Sequence, residues 1–141
     1  MRVIHALAIA AFIFSSEGQP GPVDFTTIRQ GGNSHIKEAR TEVVRTSAEW
    51  TALWKQHAGE ARPPAVDFST AIVIGVFAGS RQTAGYTVEI TRIEKQGDSL
   101  VVTYAEKGPG RDDMVAQMLT SPFHFVRTGA HAGPVKFQRT P

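Results

Sequence analysis

Imidazole is the side chain best suited to acid–base or metal chemistry near neutral pH, and four histidines lie beyond the first 18 residues: His35, His57, His124 and His131. A zinc site needs three or four convergent ligands, often at short helical spacings. The closest pair here, His124 and His131, spans a predicted turn. The spacing favours scattered structural histidines, so we expect neither a metal nor a cofactor.

The serines do not occur in the pattern of a nucleophilic hydrolase. Such enzymes place the serine in Gly-x-Ser-x-Gly, on a strained turn after a strand, whereas Ser80 lies in a Gly-Ser-Arg sequence. Asp67 and Ser69 have the spacing of a turn-stabilising pair. No glycine-rich segment is followed by Lys-Ser or Lys-Thr, so a phosphate loop is not indicated. We therefore expect no catalytic residues; a hydrolase using His124 and a neighbouring acid is the enzymatic alternative.

The segment 79–86 is the best candidate for a recognition loop. It is polar, bounded by glycines, and follows an apolar run that predicts a buried strand. Gly85 permits a positive φ or a close backbone approach, and Tyr86 can bury its ring while exposing its hydroxyl. An ordinary connection in which both residues are structural is the alternative. With a second loop at 107–113, this segment supplies the candidate partner-binding residues: Arg81, Thr83, Gly85, Tyr86, Gly108, Gly110 and Arg111.

One helix is predicted over 46–58. Thr46 and Glu49 have capping-box spacing, and Gly59 is placed to end the helix. An apolar stripe runs along it, made of Trp50, Leu53, Trp54 and His57. The two tryptophans could form a ligand platform, but at this spacing we expect them in the core.

Alternating or continuous apolar runs predict seven strands: 23–29, 35–45, 71–78, 85–95, 100–104, 123–127 and 135–139. The sequence leaves 114–119 open between a helical turn and an irregular strand. The element order predicts an α+β domain, in which a mostly antiparallel β-sheet, curved or partly closed into a barrel, has one amphipathic helix packed on it.

The first 18 residues have the pattern of a secretory signal, with Arg2 before an apolar stretch too short to span a bilayer comfortably. We expect a signal peptide at 1–18, a linker at 19–22 and a single domain at 23–141. The chain has no cysteine, which excludes disulfides, thiolate zinc sites and a lipid-modified cysteine. These features predict a periplasmic or secreted protein with no stable membrane anchor.

Charge gives no indication of a nucleic-acid partner. The 141 residues include 15 basic and 13 acidic side chains, which interleave along the chain for a net charge of +2. A nucleic-acid-binding domain shows a basic patch or stripe, and none is visible here. The composition, 41% hydrophobic, is that of a globular domain, which excludes a disordered chain.

Several segments together resemble the C-terminal domain family of PrcB. The resemblance covers about residues 47–138 and is carried by the Trp50-x-x-x-Trp54 helix, Asp67-Phe68-Ser69, the strand Ile72 to Phe77, Gly79-x-Arg81-x-Thr83-x-Gly85-Tyr86, the hairpin to Tyr104, and Ser121-Pro122-Phe123-His124-Phe125-Val126. Ala84 stands where the family often has a second glycine. The resemblance implies an exported accessory protein, without an active site of its own, that assists the assembly or stability of a surface protease complex.

The loops are also similar to those of chagasin-type inhibitors of papain-like proteases. Such inhibitors insert a Thr-Thr-Gly-Tyr loop and a glycine-rich loop into the enzyme cleft from one end of a β-sandwich, and this chain has Thr-Ala-Gly-Tyr at 83–86 and Gly-Pro-Gly at 108–110. The predicted helix does not belong to that fold, so the likeness is an analogy. The alternative to an accessory role is therefore a protease inhibitor that uses the loops 79–86 and 107–113. In either role, we expect Arg81→Ala and Tyr86→Ala to weaken binding with little change in melting temperature.

Overall fold

Two four-stranded sheets lie face to face and enclose a hydrophobic core in the computed structural model, which describes residues 20–59 and 61–141. The elements, in chain order, are β1 (Gly21–Pro22), β2 (Phe25–Gly31), β3 (Ala39–Val44), α1 (Ser47–Ala58), β4 (Ala71–Ala78), β5 (Thr87–Gln96), β6 (Ser99–Lys107), β7 (Phe123–Gly129) and β8 (Val135–Arg139). The predicted signal peptide at 1–18 lies outside the described residues.

The first sheet has the order β1-β5-β6-β8 and the second has the order β2-β7-β4-β3. Neighbouring strands are antiparallel except β6 and β8, which run parallel. The predicted class, a mostly antiparallel β structure with a single helix, is confirmed. The strands divide between two sheets rather than forming one, and these sheets do not close into a barrel. The sequence could not show this division, because alternation along a strand does not reveal which strands become its neighbours.

Strand β4 explains how the two layers are joined. All eight of its residues are buried. Ile72, Ile74 and Val76 face the first sheet, while Val73 and Phe77 face the helix on the other side. A strand covered on both faces must be apolar at every position, which accounts for the unbroken run Ile-Val-Ile-Gly-Val-Phe.

Helix α1 covers the outer face of the second sheet. Thr46 caps it, because its Oγ1 accepts from the backbone N–H of Glu49 at 3.2 Å and donates to the Glu49 carboxylate at 2.9 Å. Gly59 ends it with a φ of 83° and an N–H bond to Lys55 O. The predicted stripe is buried, and Trp50 meets Phe125 edge-on at 5.1 Å between ring centroids. The tryptophans are therefore core residues, as predicted.

Several predicted boundaries differ from those in the structure, and two of the differences are informative. Gly21–Pro22, expected within a linker, forms β1 and pairs with Glu94 and Lys95 of β5. The predicted strand 35–45 begins only at Ala39. The shorter strand has a local cause: the buried Ser34 accepts the N–H of Ile36 at 3.0 Å through its side chain, and such a bond competes with extended pairing.

Candidate functional site

Two loops pair at one end of the sandwich. The β4–β5 loop (79–86) and the β6–β7 loop (108–122) are joined by reciprocal backbone bonds between Arg81 and Thr120, at 2.8 and 2.9 Å. A third bond runs from Ala84 N to Ala116 O at 2.9 Å. The loops that the sequence singled out as separate candidates therefore form one continuous surface.

Gly85 is placed where the two loops touch. Its φ of 93° lies in the region that favours glycine. A Cβ at this position would stand 2.9 Å from Val115 Cγ1 and 3.1 Å from Pro109 Cβ. Both the backbone conformation and the close approach therefore require glycine, and the residue fixes how the loops fit together.

Tyr86, the residue before β5, packs against the second loop close to Gly85. A Cβ on Gly108 would meet its ring at 3.0 Å, so the ring lies directly against the Gly108 backbone. The guanidinium of Arg81 lies over the same ring, with its carbon 5.8 Å from the centroid. The ring is half-buried, which makes Tyr86 and Gly108 a packing pair within the site.

Arg81 anchors the β4–β5 loop to strand β6. Its Nε and Nη2 bond both carboxylate oxygens of Glu106 on β6, at 2.5 and 2.7 Å. Glu106 also accepts from Arg139 of β8 at 3.2 Å, and its side chain is only 9% exposed. The hydrogen bonds that Arg81 donates to Glu106 raise its pKa above the usual range. Arg81 therefore positions the β4–β5 loop and is not a free contact residue.

Of the remaining predicted residues, Thr83 and Gly110 make hydrogen bonds within the loops, whereas Arg111 is exposed to solvent. Thr83 Oγ1 donates to Ala84 O at 3.0 Å, and Thr83 O accepts from Thr120 at 2.9 Å. Gly110 N donates to the Asp113 carboxylate at 2.7 Å, which tightens the turn that carries Arg111. Arg111 is exposed, so it is the predicted residue most available to a partner.

The sequence did not identify the most exposed apolar residues of the site. Met114, Leu119 and Met118 expose 101%, 71% and 50% of their surfaces. We call these three residues the apolar tip; they lie on the β6–β7 loop, in the segment 114–119, which is neither helix nor strand. Three large apolar residues within six positions, in a segment bounded by the turn residues 108–113, were the signal that could have found it.

His124, the residue of the hydrolase alternative, lies in the interior, as the second residue of β7. Its Nδ1 accepts from Ile90 N at 2.8 Å, and its Nε2 bonds Thr27 Oγ1 at 2.8 Å. Burial lowers its pKa, opposed by Glu89. Both ring nitrogens are thus engaged in structural bonds, and the side chain is 2% exposed.

His57 forms the second buried histidine bond. Its Nδ1 lies 2.8 Å from Ser34 Oγ, and burial lowers its pKa to about 4, with a smaller contribution from His35. Both residues are buried, and His57 belongs to the buried face of α1. Within residues 20–59 and 61–141, no three His, Asp or Glu side chains are grouped closely enough to hold a metal ion.

In the part of the chain that the structure describes, no helix has the length and apolar character needed to cross a membrane.

Comparison with known families identifies the segment that contains these loops. A family model described as PrcB C-terminal matches residues 72–129, from β4 through β7. Neither a curated protein nor a solved structure matches the chain. The matched segment lies within the span 47–138 over which the sequence resembled this family. The resemblance to the PrcB C-terminal family, read from the Thr-Ala-Gly-Tyr loop and the Ser-Pro-Phe strand, is therefore confirmed over residues 72–129.

Proposed function

We propose that this domain is a non-catalytic protein-binding module whose contact surface is the end formed by the paired loops. The observation that carries the proposal is the apolar tip, which leaves Met114, Met118 and Leu119 exposed on a loop that backbone bonds hold at Ala116 and Thr120. Scattered single apolar residues are ordinary on a protein surface, whereas three large exposed ones within six consecutive positions favour an interaction site.

The contacts that hold the loop next to the apolar tip support a role for the tip in binding a partner. Bonds between Arg81 and Thr120, and the contact of Gly85 with Val115, fix the loop from below. A loop already held in one conformation loses less conformational entropy on binding. Methionine is enriched at protein interfaces because its flexible thioether adapts to a partner surface.

Charged residues border the tip on the same loop. Arg111, Asp112 and Asp113 are exposed and immediately precede Met114. An apolar centre with a polar rim is the usual anatomy of a protein–protein contact. The mixed signs fit a protein partner better than a uniformly negative nucleic acid.

The PrcB C-terminal family suggests association with a protease complex, which gives the partner its class. We take the partner to be an exported protease, the domain to be an accessory or stabilising subunit, and its location to be the periplasm or the exterior. The family resemblance and the signal-like sequence at 1–18 support these finer assignments.

One observation favours an inhibitor as the second candidate function. The loops 79–86 and 107–113 lie side by side at one end of a β-sandwich, which is the arrangement that insertion into a protease cleft requires. Gly85, Gly108 and Gly110 are all exposed, so their backbone is accessible from that end.

The test places a photo-crosslinking amino acid at position 114 or 118 of the full chain, in cells that naturally make it. The matched control carries the same group at Gln96, an exposed residue in the hairpin at the other end of β6. We expect one protein to crosslink from 114 and 118 but not from 96. Equal labelling from all three positions would contradict the proposal.

The protein identified in this way is then purified separately, free of the crosslink, and titrated with the wild-type chain and with Met114→Asp/Met118→Asp. We expect the double variant to bind about tenfold more weakly or worse, because a carboxylate would have to be desolvated in the contact. Protease activity in the complex separates the two candidates: an accessory subunit leaves it active, whereas an inhibitor silences it. Equal binding by the double variant would refute the tip as the contact, and turnover by the purified domain alone would refute the non-catalytic assignment.

A further inference from the structure

The apolar tip contains every methionine of the described residues. The chain has three methionines and no cysteine, and Met1 lies outside the part that the structure describes. Met114 is fully exposed and Met118 half-exposed. The sulfur atoms of residues 20–59 and 61–141 are therefore concentrated at the proposed contact surface.

We propose that Met114 and Met118 form an oxidation-sensitive modification site, at which conversion to methionine sulfoxide weakens binding of the protein partner. The inference rests on the proposed function, since it assigns a mode of regulation to the same surface. The reactive species is a peroxide, which is the chemical class that methionine thioethers reduce.

The reaction balances without any further group from the protein. A sulfur lone pair attacks one oxygen of hydrogen peroxide, an S–O bond forms, and the O–O bond breaks. The sulfur loses two electrons to give a sulfoxide, and the other oxygen leaves as water after proton transfer. Because the chain has no cysteine, no thiol of this protein competes for the oxidant.

The position of the two side chains separates binding from folding. Neither methionine side chain belongs to the hydrophobic core. The packing contact with Gly85 is made instead by Val115, which lies between them in the sequence. The backbone bond from Ala84 to Ala116 involves no methionine side chain. Oxidation therefore changes an apolar, flexible surface into a polar, chiral one while leaving the bracing of the loop in place.

The test treats the full wild-type chain with hydrogen peroxide and assigns the added oxygen atoms by peptide mass spectrometry, which distinguishes positions 114 and 118 from Met1. Binding to the partner that crosslinking identifies, purified free of the crosslink, and the melting temperature are measured before and after treatment. The control is Met114→Leu/Met118→Leu, a volume-conserving apolar replacement without a thioether at the tip.

We expect the oxidised wild-type chain to bind about tenfold more weakly with an unchanged melting temperature. The leucine variant should keep its affinity after the same treatment, and methionine sulfoxide reductase should restore binding of the wild-type chain. Retention on a phenyl-substituted column gives an independent readout, and it should fall for the wild type alone.

Two results would overturn the inference: no sulfoxide at 114 and 118, or sulfoxide at both with unchanged binding. If Met114→Asp/Met118→Asp still loses binding, the proposed function survives that failure. If the aspartate variant binds normally, the proposed function fails and the oxidation site has no binding role to regulate.

Discussion

His124 Nδ1 on β7 accepts the backbone N–H of Ile90 on β5 at 2.8 Å, so one imidazole joins the two sheets through the core. This bond occurs beside the irregular register between Ile90 and Arg92 in the β5–β6 pair. Gln30 acts in the same way at the neighbouring carbonyl of Val88, at 3.0 Å. Side chains of the second sheet thus satisfy a stretch of β5 that the two-residue β1 does not reach.

Replacing His124 with leucine should destabilise the domain by about 1–3 kcal/mol, because the buried N–H of Ile90 loses its acceptor. His124→Asn is the matched control, since its carbonyl oxygen can take the place of Nδ1, and it should cost less. Urea unfolding followed by circular dichroism measures both. Equal stability of the leucine variant and the wild type would show that the bond contributes nothing.

Acid should destabilise the domain through His57. Its pKa falls from 6.5 to about 4 in the folded state because burial disfavours the charged ring. The folded state therefore binds fewer protons than the unfolded state. The contribution of His57 is complete above pH 6.5 and is lost as the pH falls toward 4, by about 3 kcal/mol in total.

The measurement is the free energy of unfolding between pH 7.5 and 4.5 for the wild type and His57→Leu. Removing the titrating ring should flatten the profile between about pH 6.5 and 4. His124 shifts in the same direction, so part of the slope should persist in the variant. An unchanged slope would contradict the assignment to His57.

Trp54→Ala should cost about 3–5 kcal/mol, since it removes a large buried aromatic and leaves a cavity. The ring is 6% exposed and lies 5.3 Å from Trp50 and 5.7 Å from Phe125 between centroids. Lys55→Ala, at the adjacent exposed position, is the control and should change stability little. A mild effect of Trp54→Ala would instead revive the idea that the tryptophans form a ligand platform.

Gly85→Ala should disturb the site more than the fold. The positive φ alone costs about 1–3 kcal/mol for alanine, and the new Cβ would push Val115 and Pro109 away. Gly32→Ala meets no atom within 4 Å, so it serves as the control. We expect proteolysis of the β6–β7 loop to accelerate in Gly85→Ala only, and equal cleavage rates would show that the junction does not depend on glycine.

Arg81→Ala should lower stability by about 1–3 kcal/mol because it removes two charged hydrogen bonds from a nearly buried carboxylate. This replaces the sequence-based expectation of an unchanged melting temperature. Arg139→Ala, which removes a single bond from an exposed arginine, should cost less. If the two variants unfold alike, Arg81 is not the brace of the loop.

Local signals were sufficient to predict α1 and β4. Thr46, the stripe from Trp50 to His57, and Gly59 all act within one helix, and a strand buried on both faces is apolar throughout. Gly85 and Tyr86 also drew attention to the loop 79–86, because glycine permits a positive φ and tyrosine can bury its ring while exposing its hydroxyl. The role of each loop residue could not be predicted, because the residues that contact Arg81 and Gly108 are distant from them in sequence.

The conformation of 114–119 and the division into two sheets could not be predicted for the same reason. Val115 packs against Gly85, and Thr120 is bonded to Arg81. In each pair the two residues are separated along the chain by β5 and β6. The apolar residues of the segment have the spacing of a helical turn, whereas the segment forms neither helix nor strand. Parallel pairing of β8 with β6 also depends on a neighbour chosen by the whole fold rather than by the alternation of Val135–Arg139.

The parallel attachment of β8 determines when the chain can finish folding. After β6 the backbone leaves for the second sheet, forms β7, and only then returns to lie along Leu100 to Tyr104. Pairings so distant in sequence close late and make folding slow. Until residue 139 has been synthesised, one edge of β6 stays open to association with other chains. Nearly the whole length of the domain must therefore be available before its first sheet can be completed.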